Sequence, residues 1–321
     1  MAIGTLRLEG AKGPSSHTAY GRRMTTEDAS ERFRNLDIWP DTDILDALLE
    51  GQFAAVGVVA ATRNALNAAV SQAYERLQFT GRLVYVGAGS SGRLAALDAL
   101  EVAPTFGWPR ERLAYRVAGA AFDLMADEGA EDDVQAGTEA AQALSLSLSD
   151  VVVCVSASGS TPYTLAFQRV AWGRGALTVA LANNAGSPLL LEAHAPVLLA
   201  SGPEVIAGST RLGAGTAQKA ALNLFSTLLM VRLGRVYHNQ MTEVEPSNVK
   251  LRGRAERIVA QAASCDLKTA QAALAEAGSI KLALCLLRYG TLEEARRRLE
   301  AAGGSLRTAL HPEPEGVPFT E

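Results

Sequence analysis

Leu83–Val84–Tyr85–Val86–Gly87–Ala88–Gly89–Ser90–Ser91–Gly92–Arg93–Leu94 is the stretch that decides the fold of this chain of 321 residues. Its first four residues are apolar, as in a buried strand, its centre is rich in glycine and serine, and a helical pattern follows. A helix that begins at such a turn presents unpaired backbone N–H groups and a partial positive charge. The stretch therefore predicts a strand, a turn suited to an anion, and a helix.

A second segment of the same kind lies downstream. The apolar run Val151–Val155 leads into the hydroxyl-rich turn Ser156–Ala157–Ser158–Gly159–Ser160–Thr161–Pro162, and another helical pattern follows. The carboxyl ends of parallel strands lie at one edge of a sheet, so the two turns are expected to face one cleft. Together they predict a site for a phosphorylated small molecule.

The three glycines of the first turn do not by themselves identify the ligand. Gly87, Gly89 and Gly92 fit the G-x-G-x-x-G spacing of dinucleotide-binding turns. However, the next strand candidate, Leu113–Val117, runs into Ala118–Gly119 instead of an acidic residue, and the sequence has no Gly-Lys-Ser/Thr motif. One such turn by itself favours close packing of strand and helix, whereas two turns with paired hydroxyls favour anion binding.

Composition argues against several classes of protein. The net charge is −4 and the Lys and Arg residues are dispersed, which is not the pattern of a nucleic-acid-binding surface. The three cysteines and four histidines have no spacing typical of a zinc site or a disulfide framework. The N-terminus lacks the apolar core of a signal peptide, and the longest apolar runs are interrupted by polar residues. We expect a soluble, cytoplasmic protein that binds neither nucleic acid nor membrane.

Strand and helix candidates alternate along most of the chain, which favours a parallel sheet with helices on both faces. A long helix is predicted from about Phe53 to Leu77, and another over Thr216–Val236. The predicted strands are Leu83–Val86, Leu113–Val117, Val151–Val155, Leu177–Leu181 and Pro196–Leu199. We expect a flexible extension at 1–24, an α/β domain at 25–245 and a small C-terminal helical bundle at 246–321.

Acidic residues cluster at two places between the hydroxyl-rich turns. Asp98 and Glu101 are three residues apart on the first predicted helix, so both can lie on one face, and Glu131 belongs to the acidic run Asp127–Asp133. For any one of them a solvated surface charge or a helix N-cap is the more common role. The functional alternative is a pair of carboxyl groups that divide general-acid and general-base work on a sugar phosphate.

Charged residues also follow the last predicted strand. Lys219 is a candidate substrate-binding cation, although a solvated position on its helix explains it equally well. For Glu204 we favour a structural role, for example an ion pair with Arg211.

In their order along the chain, these motifs resemble the N-acetylmuramic acid 6-phosphate etherases, a family built on the sugar isomerase (SIS) domain. The resemblance covers roughly residues 25–310. It rests on the segments 87–94 (GAGSSGRL), 101–107 (EVAPTFG), 128–132 (EGAED), 156–163 (SASGSTPY), 202–212 (GPEVIAGSTRL), 214–219 (AGTAQK), 233–237 (LGRVY) and 248–251 (NVKL). The chain departs from the family pattern at Ser90, where Thr is usual, at Ser160, where Arg is usual, and at Gly213, where Lys is usual.

The resemblance implies a three-layer, flavodoxin-like SIS domain and removal of D-lactate from the C3 ether of N-acetylmuramic acid 6-phosphate in peptidoglycan recycling. It implies Glu101 as the proton donor and Glu131 as the base at C2. Phosphate and sugar hydroxyls would be held by Gly89, Ser90, Ser91, Ser156, Ser158 and Thr161, with Lys219 as a further candidate. It also implies a homodimer and no metal or organic cofactor.

Two other functions are compatible with the same motifs. One is an SIS-domain isomerase that moves a proton between C1 and C2 of a sugar phosphate. The other is a regulatory protein that binds a sugar phosphate without catalysis, similar to the glucokinase regulator. A binder has no need of two proton-transfer groups, so retention of both Glu101 and Glu131 favours the etherase.

Overall fold

The computed structural model describes residues 25–120, 128–244 and 249–311. The predicted extension at 1–24 therefore lies outside the described residues, as do residues 312–321 at the end of the chain. Short 3-10 helices occur at Glu31–Phe33, Leu36–Ile38, Arg110–Arg112 and Glu128–Asp132.

The centre of the fold is a sheet of five parallel strands in the order β2-β1-β3-β4-β5. The strands are β1 (Leu83–Gly87), β2 (Leu113–Val117), β3 (Val151–Ser156), β4 (Leu177–Ala182) and β5 (Ala195–Leu198), each within one residue of its predicted bounds. The direction in which strands are added reverses between β1 and β3, and a ligand crevice forms at such a point in open α/β sheets. Because Gly87 is paired with Val155, the two hydroxyl-rich turns begin side by side there.

Helices cover both faces of the sheet, as the alternating sequence pattern predicts. Apolar residues that alternate along the strands pack on one face against α1 (Asp41–Ala61), α2 (Arg63–Leu77), α3 (Gly89–Phe106) and α7 (Gly213–Arg232). The other face packs against α4 (Val134–Ala143), α5 (Pro162–Gly173) and α6 (Pro188–Leu191). The architecture is therefore a three-layer α/β sandwich.

The predicted helix over 53–77 is wrong in one respect, because two helices meet at Thr62. The Thr62 hydroxyl donates to the carbonyl oxygen of Val59 at 2.9 Å, and its backbone N–H donates to the same oxygen at 3.1 Å. A hydroxyl that competes for backbone partners weakens regular helical bonding. Helix α1 therefore ends before Thr62 and α2 begins after it.

The C-terminal region has a hydrophobic core of its own. It consists of the hairpin β6 (Val236–Tyr237) and β7 (Gln240–Met241), which the sequence pattern did not predict, and helices α8 (Val249–Ala263), α9 (Leu267–Ala277), α10 (Ile280–Tyr289), α11 (Leu292–Ala301) and α12 (Leu306–Leu310). Four of these helices begin at a residue whose side chain accepts a backbone N–H of the first turn: Asp266, Ser279, Thr291 and Ser305. These N-caps explain the short loops between the helices.

Helix α1 differs from the other helices of the α/β region in its exposure. The helix has 21 residues, and an 18-residue window within it has a mean hydropathy of 1.6 with only 17% of its residues buried. By length and composition the helix could therefore cross a membrane. The sequence pattern predicts no membrane span, since Arg63, Asn64, Lys219 and Asn223 interrupt the longest apolar runs, but α1 ends before Arg63. Glu50 forms an ion pair with Arg32 on the surface.

Replacing Gly92 with Ala is expected to destabilise the fold by about 1–3 kcal/mol, the usual cost of forcing a methyl group into a packed site. A Cβ at Gly92 would lie 2.7 Å from the carbonyl carbon and oxygen of Gly87 and 2.9 Å from the side chain of Val117. Gly173→Ala is the matched control, because nothing lies within 4 Å of a Cβ there. Denaturant unfolding measures both variants, and equal stabilities would contradict the packing argument.

Candidate active site

The first hydroxyl-rich turn joins β1 to α3 by a close backbone approach. A Cβ at Gly87 would lie 2.9 Å from the backbone nitrogen of Gly92, and Gly89 has a φ of 51°, in the left-handed region that favours glycine. Helix α3 starts at Gly89, with Ser90 half-buried and Ser91 buried in its first turn. The first N–H groups of the helix, at Gly89, Ser90 and Ser91, precede the first intrahelical bond, which runs from the Gly92 N–H to the Ala88 carbonyl oxygen at 2.9 Å, and they lie at the edge of the sheet where β1 ends.

The second turn is organised by its own hydroxyl groups. Ser156 Oγ lies 2.8 Å from Thr161 Oγ1 and 3.3 Å from Ser158 Oγ, and it accepts the backbone N–H of Gly159 at 3.0 Å. Ser158 Oγ accepts the N–H of Ser160 at 3.2 Å. Ser156 is buried, whereas Ser158 and Thr161 are half-buried. Three hydroxyl groups thus converge beside the first turn, which is the arrangement expected of a phosphate site.

Glu131 lies beside the first turn. It belongs to the 3-10 helix Glu128–Asp132, and a Cβ at Gly89 would be 3.9 Å from its Oε2. The side chain is exposed. One of the two predicted carboxylates therefore lies beside the first hydroxyl-rich turn.

Glu101 is not in that cleft within one chain. It lies on α3, twelve residues after Gly89, and a rise of 1.5 Å per residue separates the two by about 18 Å along the helix axis. Its side chain is exposed. The sequence-based expectation that Glu101 and Glu131 could face one cleft is thus not met by a single protomer.

The charged residues after β5 also have different partners from those expected. Glu204 is buried, and its two carboxylate oxygens accept the backbone N–H groups of Gly213 and Ala214, each at 2.8 Å. It therefore caps the N-terminus of α7, a structural role as favoured above, but with α7 instead of Arg211 as its partner. Lys219 is exposed on α7, where its ammonium group donates to Asn223 Oδ1.

A buried polar network that the sequence pattern did not reveal lies between β1, α3 and α7. Asp98 accepts the Tyr85 hydroxyl at 2.9 Å, the Asn223 amide at 2.7 Å and the Ser226 hydroxyl at 3.2 Å. Burial raises the pKa of Asp98 above its ordinary value, although these donors and the nearby charge of Lys219 oppose the shift. The spacing of these four residues in the sequence does not predict the network, because they come together only when α3 packs against α7.

Within 25–120, 128–244 and 249–311, no group of three or more His, Cys, Asp and Glu residues is arranged to hold a metal ion. What the described cleft offers is hydroxyl groups, helix N–H groups and one carboxylate. That set can bind a phosphate and move a proton beside it.

Replacing Ser158 with Ala is expected to raise KM for a sugar-phosphate substrate by about 10-fold with little change in kcat, because a hydrogen bond to a charged group is lost. Steady-state kinetics separates the two constants. Ser160→Ala is the comparison, since the Ser160 side chain is exposed in the same turn. An unchanged KM for Ser158→Ala would show that the phosphate does not bind at this turn.

Comparison with known proteins identifies the family to which this chain belongs. Residues 64–170 match the family model of the glucokinase regulatory protein N-terminal SIS domain. The chain is 49% identical over 288 residues to an N-acetylmuramic acid 6-phosphate etherase of Deinococcus radiodurans, covering 89% of this chain and 94% of that protein. It is 45% identical to an enzyme of the same name from Rubrobacter xylanophilus, covering 89% and 96%.

Among solved structures, a phosphoheptose isomerase from Francisella tularensis aligns with a TM-score of 0.45 at 17% identity, covering 61% of this chain and 98% of that one. The etherase relatives are far more similar and extend over nearly the whole chain. The chain belongs to the N-acetylmuramic acid 6-phosphate etherase family and is a carbon–oxygen lyase that acts on a sugar phosphate.

Proposed function

We propose that this enzyme cleaves the C3 lactyl ether of N-acetylmuramic acid 6-phosphate by elimination and hydration, giving N-acetylglucosamine 6-phosphate and D-lactate in peptidoglycan amino-sugar recycling. The observation that carries the mechanism is the pair of hydroxyl-rich turns beside β1 and β3 with the Glu131 carboxylate next to Gly89. Neither an isomerase nor a regulatory binder is favoured, because the relatives that cover nearly the whole chain are named as etherases.

The two turns bind the phosphate in this proposal. Ser156, Ser158 and Thr161 provide hydroxyl donors on one side, and the N-terminus of α3 with Ser90 and Ser91 provides donors on the other. A phosphate gains most from N–H and O–H groups that are already oriented toward it. The sugar chain then extends from the turns toward Glu131.

Glu131 is the base in the proposed reaction. The open-chain aldehyde of the substrate makes the C2 proton acidic, and the Glu131 carboxylate removes it. The C3–O bond then breaks and leaves a double bond between C2 and C3, while an acid protonates the departing lactate oxygen. Water adds at C3 to give the product.

Glu101 supplies the acid from a second protomer. A hexose 6-phosphate held at the turns cannot reach a residue about 18 Å along α3, so the Glu101 of the same chain is too distant. A partner subunit that packs on the face of α3 and α7 can bring its own Glu101 to the cleft. We therefore propose a homodimer with two composite sites, each built from both chains.

An exposed apolar surface supports this dimer. We call it the α1–α3–α7 surface; its large exposed apolar residues are Leu45, Leu49, Phe53 and Val56 of α1, Leu97 and Leu100 of α3, and Leu224, Leu228 and Val231 of α7. Helices α1 and α3 both pack against α7, and exposed apolar residues grouped on neighbouring helices usually mark an interface. Burial against a second copy would also account for the apolar character of α1 in a cytoplasmic enzyme.

We also propose that the chain is divided into two domains. Residues 25–245 form the SIS domain that holds the substrate and residues 246–321 a C-terminal helical subdomain. The separate hydrophobic core of helices α8–α12 supports a C-terminal unit, and because this core also includes Tyr237 and Val244, the unit takes in the hairpin β6–β7 before residue 246.

Incubation with N-acetylmuramic acid 6-phosphate in H₂¹⁸O tests the reaction. We expect release of D-lactate together with ¹⁸O at C3 of the sugar product, since elimination followed by hydration takes the new C3 oxygen from water. D-lactate that itself carries the label, with none at C3 of the sugar, would exclude cleavage at the C3–O bond. A sugar phosphate isomerised without lactate release would support the isomerase instead.

A further inference from the structure

Asp98 is a buried carboxylate to which the mechanism above assigns no task. It is 4% exposed and accepts three hydrogen bonds, from Tyr85, Asn223 and Ser226. Burying a carboxylate is costly unless its partners compensate, so a position with no role favours an apolar residue. The contacts of Asp98 with its neighbours indicate what this buried carboxylate does.

Asn223 connects the buried Asp98 to an exposed residue, Lys219. Asn223 donates its amide N–H to Asp98 Oδ1 at 2.7 Å, and its amide oxygen accepts a hydrogen bond from the Lys219 ammonium group. The Asn223 amide is thereby fixed in one orientation, with its oxygen toward Lys219. Lys219 itself is exposed and has no carboxylate partner among the ion pairs of the described residues. The ammonium group is thus held in place by Asn223, with the buried Asp98 carboxylate as its nearby counter-charge, while the Lys219 side chain stays exposed.

The position of this ammonium group relates it to Glu101. Asp98 precedes Glu101 by one turn of α3, about 4.5 Å along the axis, and Lys219 reaches Asp98 through a single residue. Glu101 and Lys219 are therefore exposed residues on the two helices, α3 and α7, that the Asp98 network joins. In the substrate, the lactyl carboxylate is separated from the ether oxygen by one carbon atom. A cation beside the acid that protonates the ether oxygen would meet that carboxylate.

We propose that Lys219 binds the lactyl carboxylate of the substrate, and that Asp98 is a positioning residue that orients Lys219 through Asn223. This inference rests on the proposed function, because Lys219 then enters the composite site together with Glu101. It explains why a buried carboxylate is retained between α3 and α7. It also makes Lys219 the group that distinguishes a lactyl ether from an uncharged substituent at C3.

The experiment compares two substrates, N-acetylmuramic acid 6-phosphate and its lactamide analogue, in which the carboxylate is replaced by a neutral amide. The readout is the ratio of kcat/KM for the acid to kcat/KM for the amide. Intrinsic differences between the leaving groups are the same for every variant, so a change in the ratio reports recognition of the charge. A purely structural role for the network would lower both constants together and leave the ratio unchanged.

Lys219→Met is expected to lower the ratio by about 10- to 100-fold, the effect of losing one charge-assisted hydrogen bond. Asn223→Ala and Asp98→Asn should lower it by a smaller factor, about 3- to 10-fold, because the cation remains but is no longer held. Asn223 is only half-buried, so this variant tests the same connection if Asp98→Asn fails to fold. Ser226→Ala is the matched control, since Ser226 contacts Asp98 but not Lys219.

An unchanged ratio in Lys219→Met would overturn the proposal. A ratio reduced in Lys219→Met but unchanged in both Asn223→Ala and Asp98→Asn would overturn the positioning role of Asp98. Failure of the proposed function is distinguishable from both, because the wild-type enzyme would then release no D-lactate from the acid substrate at all.

Discussion

Replacing Glu101 with Gln is expected to slow D-lactate release by about 10²- to 10⁴-fold, the usual contribution of a positioned general acid. The amide is close to the carboxyl group in size but cannot give a proton to the departing lactate oxygen. Removal of the C2 proton should continue, because it depends on Glu131. The variant is therefore expected to exchange the C2 proton with D₂O while releasing almost no lactate.

Glu111→Gln is the matched control for this variant, since Glu111 is also an exposed glutamate near the end of the first α/β unit. It should keep the activity of the wild-type enzyme. Near-normal lactate release by Glu101→Gln would remove Glu101 from the mechanism. Loss of C2 exchange along with lactate release would assign Glu101 to the earlier proton transfer.

Replacing Glu131 with Gln is expected to reduce lactate release by a similar factor of about 10²- to 10⁴-fold, and to abolish C2 exchange as well. The carboxylate next to Gly89 is the proposed base, and without it no carbanion forms at C2. Nuclear magnetic resonance of the sugar in D₂O measures the exchange directly. The two variants thus differ in which step stops.

The neighbouring Asp132→Asn separates a catalytic effect from a change in local charge. Asp132 lies in the same 3-10 helix and is exposed like Glu131, so its loss alters the charge of the cleft mouth equally. C2 exchange that survives in Glu131→Gln would contradict the role of Glu131 as base. Equal losses in both variants would show that only the charge matters.

Much of the fold could be predicted from local patterns. The apolar runs of β1 and β3 and the glycine- and serine-rich turns after them are continuous in sequence, and the structure places them side by side through the pairing of Gly87 with Val155. The short C-terminal helices were also predictable from residues such as Asp266 and Ser279, whose side chains cap them.

Features that depend on packing could not be predicted in this way. The break at Thr62 comes from a hydroxyl that bonds back to Val59, which a helical periodicity does not distinguish from a continuous helix. Asp98 is identified as a buried acceptor only when α7 delivers Asn223 and Ser226 to it. The position of Glu131 beside Gly89 also depends on packing, because the two residues are far apart in the sequence.

The composite site is tested most directly by a mixed dimer of Glu101→Gln and Glu131→Gln chains, co-expressed with two different affinity tags and purified through both. If each site takes Glu101 from one protomer and Glu131 from the other, one of its two sites carries both substitutions and the other carries none. The mixed dimer is then expected to regain about half of the wild-type activity, whereas each parent dimer stays inactive. A mixed dimer as inactive as its parents would contradict the account, because both carboxylates would then act within one chain.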